Sequence, residues 1–144
     1  MLKGLAGLLF LVALIGGPGQ TPTKISPHYN VGDAVRYTVS FDGDPNFAYV
    51  GLIFQKLGGA DSSQQGLNTT FQTEHFTKVK AGVFEVDGKI PENTATGMYN
   101  IIQVYATIAP DGHKSYDASS FNLGISITND QKYDFPPVKS VSPK

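Results

Sequence analysis

Asp42-x-Asp44-x-Asn46 is the spacing in this chain that comes nearest to a ligand site. Oxygen-bearing side chains at alternate positions match the opening of a calcium loop. The match stops there. Phe47 stands where such a loop needs a glycine, and Ile53 stands where it needs a bidentate glutamate. Asp, Gly, Pro and Asn are also the residues of an ordinary turn between two strands. A hairpin turn is the expectation, with Asp42, Asp44 and Asn46 as the candidate metal ligands if there are any.

The other polar residues are dispersed. His28, His75 and His113 stand far apart, without the close spacing of a local metal pair. His75 shares a strand face with Thr73 and Thr77 and is expected to point to solvent. His28 lies near the expected mature amino terminus, where the two together offer nitrogen ligands for copper or zinc. No Gly-x-Ser-x-Gly elbow, His-Glu-x-x-His or phosphate-cradling glycine loop is present. Asp111 and Asp117 are the one acidic pair that loops could bring together. No enzyme, no resident metal and no cofactor are therefore expected. Tyr29, Tyr49, Tyr105, Tyr116 and Tyr133 can stack on sugars or line a core, and the core role is favoured. Asn68-Thr69-Thr70 is a glycosylation sequon, relevant only to a eukaryotic source.

These residues sit in a chain of two unlike parts. Residues 1–19 read MLKGLAGLLFLVALIGGPG: one lysine, an apolar run from Leu5 to Ile15, then small residues. That order is the order of an export signal, and the run is short of the roughly twenty residues a spanning helix needs. Gly17 and Gly19 allow cleavage before Gln20. The expected address is secreted or periplasmic, with no membrane span once the signal is removed.

The remaining 125 residues of the 144 are the size of one domain. Without Lys3, 10 basic side chains face 12 acidic ones, and Arg36 is the only arginine. Nucleic-acid binding needs clustered cations to displace counterions from phosphates, and no such cluster exists here. With no cysteine, neither disulfides nor thiolate chemistry enters.

Strand patterns fill this part, and no helical spacing persists. Val35, Tyr37, Val39 and Phe41 alternate with polar residues, as do Phe121, Leu123, Ile125 and Ile127. Residues 47–57 are apolar on both faces, which predicts a central strand. Residues 98–109 have the same character, with Tyr99, Ile101 and Tyr105 opposed to Ile102, Val104 and Ile108. Shorter strands are predicted at 71–79 and 83–90. Turn residues separate them, and about seven strands at this spacing predict an all-β sandwich. The predicted boundaries are a signal at 1–19, an extended lead-in or edge strand at 20–30, the sandwich at 31–128 and a Pro-rich tail at 129–144. Residues 60–66 are expected to form a polar loop, and Tyr133, Phe135, Val138 and Val141 to give the tail something to pack along the domain.

The passage Ile90-Pro91-Glu92-Asn93-Thr94-Ala95-Thr96-Gly97-Met98-Tyr99 resembles one found in immunoglobulin-like sandwiches of secreted bacterial proteins. There a strand ends in proline, and Gly-x-Tyr opens the next strand. The glycine allows a tight entry, and the tyrosine buries its ring while its hydroxyl bonds back to the loop. The antibody cysteines and core tryptophan are absent. The resemblance implies an immunoglobulin-like antiparallel sandwich and a role in binding or surface assembly. A non-catalytic binding or interaction module for a protein or a cell-envelope glycan is the expected function. A structural accessory domain docking on a protein partner is the alternative, and a metal-binding protein or hydrolase a distant third.

Overall fold

The computed structural model describes residues 27–59, 64, 66–131 and 136–144. The signal at 1–19, its cleavage point at Gln20, the lead-in as far as residue 26, and Tyr133 and Phe135 lie outside the described residues. So does most of the 60–66 loop.

In chain order the strands are β1 (His28–Asn30), β2 (Ala34–Ser40), β3 (Tyr49–Lys56), β4 (Thr70–Gln72), β5 (His75–Lys80), β6 (Val83–Lys89), β7 (Gly97–Ile108), β8 (Gly112–Asp117) and β9 (Gly124–Thr128). They form two packed sheets. The larger runs β1-β9-β7-β3-β4, with β8 also on β7; the smaller runs β2-β6-β5. The fold is an all-β sandwich. Its pairs are antiparallel except β1 with β9, which run parallel. No helix among the described residues is long and apolar enough to cross a membrane.

The alternation in β2 comes out as predicted: Val35 is buried, Tyr37 and Val39 are half-buried, and Arg36, Thr38 and Ser40 are exposed. In β3, Val50, Leu52 and Phe54 enter the core, where they meet Phe84 and Val86 of β6 and Ile125 and Ile127 of β9. Burying each such side chain contributes about 1.5–3 kcal/mol. β3 is central, between β7 and β4, as its two apolar faces predicted.

Four expectations need correction. The predicted strand at 71–79 is two strands. β4 pairs with β3 in the large sheet, and β5 pairs with β6 in the small one. The chain changes sheets at Thr73, whose buried hydroxyl accepts from the Leu52 N–H at 2.9 Å. Thr73 therefore does not share an exposed face with His75.

The strict alternation read for 98–109 also fails. Ile53 pairs with Gln103 and Phe54 with Ile101, which leaves Ile102 as an extra residue. Such a bulge shifts the inward face by one position. Tyr99 and Ile101 point inward before it, Val104 and Ala106 after it.

The last strand starts at Gly124, not Phe121. Ser119–Phe121 is a single 3-10 turn, and Asn122 follows in the left-handed region at φ 54°. Phe121 is 65% exposed. The tail beyond Pro136 has no regular structure, and Val138 and Val141 are exposed and do not pack on the domain.

Candidate functional site

The bulge at Ile102 organises a cavity between the two sheets. β8 follows β7 as far as the pair Gln103–Asp117, and β9 resumes at Asn100–Gly124. Residues 118–123 detour away from β7 between those points. Both ends of the detour are tied at the bulge: Ala118 N–H donates to Ile102 O at 2.9 Å, and Ile101 N–H donates to Leu123 O at 3.0 Å. Asp117 fixes the entry by accepting from the Ser119 hydroxyl at 2.6 Å and the Ser119 N–H at 2.9 Å. These bonds, the hydroxyl's first, hold its carboxyl below the usual carboxylate range.

The detour leaves a cleft of about 500 Å³ between the two sheets. One wall is β2, with Tyr37, Val39 and Phe41. Leu52, Ile101 and Val104 form the floor, and Tyr116, Ala118, Phe121 and Leu123 the opposite wall. Aromatic rings brace the β2 side. Phe41 meets Tyr116 at 5.6 Å and Phe47 at 4.8 Å, both edge-on, and Tyr37 leans on Phe54 at 5.9 Å. The lining is mostly apolar, with Thr38, Ser40, Asp117 and the Tyr37 and Tyr116 phenols as its polar members. Burial, with the Tyr29 phenol nearby, pushes the Tyr37 hydroxyl up to about 12, so it stays a neutral donor. It makes no hydrogen bond to a described residue.

β2 also supplies the mouth of the cleft. Phe41 N–H donates to Gly82 O at 2.7 Å, and Ile90 N–H donates to Asp33 O at 2.9 Å. Both contacts lie in the register in which Ala34 faces Lys89 and Ser40 faces Val83. Odd-numbered residues of β2 therefore turn their backbone groups toward β6. The N–H and C=O groups of Arg36, Thr38 and Ser40 turn the other way, to an edge on which no described strand pairs.

The other edges differ. β1 and β4 have three residues each, and β8, paired only with β7, has six and carries Lys114. β5 carries Lys78 and Lys80 and a register shift between them. Short edges, lysines and bulges are the means by which sheets discourage further pairing. β2 has seven residues, no lysine or proline, and an unbroken register with β6.

The residues singled out from the sequence do not converge. Asp42–Asn46 connects β2 in the small sheet to β3 in the large one, so it is not a hairpin turn. The Asp44 carboxylate is held by Lys78 Nζ and accepts from Gly82 N–H at 3.3 Å. Lys78 first, with Gly82, holds it below the usual carboxylate range. Asp111 and Asp117 sit beyond one end of β8 and at its other end, roughly 20 Å apart at strand rise. His28 lies between the hydroxyls of Ser126 (3.0 Å) and Thr128 (3.3 Å). His75 is exposed beside Asp87 at 3.3 Å. Among the described residues no three His, Asp or Glu side chains form a group able to hold a metal.

Of the tyrosines, Tyr29 is half-buried against the core and Tyr116 lines the cleft. Tyr49 and Tyr105 form a row, at 6.5 Å, that continues to the His113 ring stacked on Tyr105 at 5.9 Å. The cleft itself was missed by the sequence reading. Its signal was Asp117-x-Ser119, which caps a local turn, followed by Asn122, a residue that tolerates left-handed backbone. No protein-family model matches this chain, and no curated protein is similar to it.

Proposed function

We propose that this chain is an exported, non-catalytic interaction module of immunoglobulin-like type that binds an extended segment of a protein partner along β2. The observation that carries the reading is the open β2 edge lying directly over an apolar cleft. Strand addition needs both parts: backbone donors and acceptors for affinity, and pockets for alternate side chains for specificity. Arg36, Thr38 and Ser40 supply the first. The space between Tyr37, Phe41, Phe121 and Leu123 supplies the second.

Two observations support the immunoglobulin-like part. The Tyr99 hydroxyl donates to Ala95 O at 2.7 Å, four residues upstream, from the start of β7. The parallel β1–β9 pair beside a β2-β6-β5 sheet suits that architecture as well. The composition of residues 1–19 supports export.

The test is to pan a random-peptide display library over the immobilised protein. Enriched peptides are expected to alternate apolar and polar residues. Capture should be lost in Thr38→Pro, which removes an N–H that β6 does not use. Phe121→Asp, which leaves the strand alone, should weaken capture as well, and unchanged unfolding midpoints confirm that both variants fold. Capture unaffected by either change overturns the reading.

A second reading rests on the row Tyr49, Tyr105 and His113, whose rings offer stacking faces to a cell-envelope glycan. Saccharide binding that survives Thr38→Pro but is lost in Tyr105→Ala would favour it over the first.

A further inference from the structure

We infer that the segment added to β2 is β2 of a second copy of this chain, in the register that sets Arg36 opposite Asp42 of that copy. The inference rests on the edge-binding reading above and names its partner.

The groups free to bond outward belong to even-numbered residues, so an identical antiparallel strand must pair even residues with even ones. Few such registers keep Thr38 and Ser40 inside the paired stretch. Full overlap of the two strands sets Arg36 against the neutral Thr38, and Thr38 opposite Thr38 sets it against the neutral Ser40. Ser40 opposite Ser40 sets Arg36 against Asp44, whose carboxylate Lys78 already holds. Thr38 opposite Ser40 sets Arg36 against Asp42, and the twofold axis makes this pair twice.

Among the described residues neither partner of that pair is engaged. Arg36 and Asp42 are exposed and make no hydrogen bond or ion pair to a described residue. Opposite charges facing each other across strands stabilise the pairing, and like charges there oppose it. Arg36 is the only arginine of the chain and the only charged residue within β2. It therefore selects the register.

The apolar surface is accounted for in the same arrangement. A twofold axis perpendicular to the joined sheet keeps the inner faces of both copies on one side. The 119–123 detours then lie over the seam, and Phe121, 65% exposed in the single copy, is covered. The product is a continuous sheet of six strands, β5-β6-β2 from each copy.

Sedimentation velocity of the purified protein across micromolar to millimolar concentrations tests this. A monomer–dimer equilibrium is expected. Arg36→Glu alone and Asp42→Lys alone should each weaken the dimer by about tenfold or more. The double variant Arg36→Glu/Asp42→Lys, which restores opposite charges across the seam, should recover it. A monomer at every concentration overturns the inference, as does a dimer indifferent to the single changes or not recovered by the double one. Protection of the Thr38 and Ser40 amides in a monomer also overturns it and assigns the edge to another segment of the same chain. Peptide capture separates the levels: a monomer that still captures peptides through β2 loses only the second-copy inference, whereas loss of capture removes the reading beneath it.

Discussion

The hydroxyl of Tyr99 donates to the carbonyl of Ala95 at 2.7 Å, from a ring that is fully buried between the sheets. This bond fixes the loop between β6 and β7 to the strand that leaves it. The same loop is held from the other side by Asn129, at the end of β9, so the polar contacts of residues 92–99 act as one clasp.

Tyr99→Phe removes the donor while keeping the ring. Ala95 loses a buried partner for its carbonyl, a cost of about 1–3 kcal/mol. The expected result is a fall of several degrees in the thermal midpoint with no change in fold, read by circular dichroism.

Alkaline pH should destabilise the domain through two tyrosines. Burial pushes Tyr99 up from 10.0 to about 12, with the bond to Ala95 working against the shift. Burial, helped by Tyr29, pushes Tyr37 from 10.0 to about 12. In both, the folded state keeps the proton longer than the unfolded state does. Their contribution is therefore complete below pH 10 and is lost as pH rises from 10 to about 12. Urea midpoints should decline across that window, and Tyr37→Phe should flatten the decline without abolishing it. A flat profile in the wild-type protein contradicts the assignment.

Asn129→Ala should cost more than an exposed asparagine would. Its Nδ2 donates to Glu92 O at 2.9 Å and Thr94 O at 2.8 Å, and its Oδ1 accepts from Gln131 N–H at 2.9 Å. Truncation removes the buried donor these carbonyls use, and about 2–3 kcal/mol is expected. Chemical denaturation measures it.

Gly82→Ala tests the β5–β6 turn. Gly82 has φ +71°, and an added Cβ would stand 2.6 Å from the Phe41 carbonyl oxygen and against the Gly43 carbonyl. Strained backbone and backbone collision together should lower stability by more than about 1–3 kcal/mol. The Phe41–Gly82 bond, and with it the end of β2, should loosen in hydrogen exchange.

What the sequence made legible was whatever depends on one-sided burial in an unbroken pleat. The Val35–Phe41 alternation is that of β2, and Gly97-x-Tyr99 carried both its strand start and its hydroxyl bond. The failures share one physical cause. Ile102 and Val104 are both apolar, so nothing in residue type marks the bulge between them. Thr73 is a good strand residue, so the change of sheet at that position leaves no glycine or proline behind. Phe121 fits a strand pattern yet lies on a detour whose shape is set by hydrogen bonds to Ile101 and Ile102, nearly twenty positions away. The cleft is built from four separate stretches of chain, and its existence depends on that detour. The edge character of β2 likewise depends on strand order, which local sequence does not encode.

The most direct test of β2 as the binding edge is amide hydrogen exchange resolved by nuclear magnetic resonance, in dilute and in concentrated protein. Tyr37 and Val39, turned toward β6, should be protected in both. Thr38 and Ser40 should exchange freely when dilute and become protected, saturably, as concentration rises or as a captured peptide is added. Thr38 and Ser40 amides that stay unprotected throughout, or that are protected at every dilution, would contradict the account.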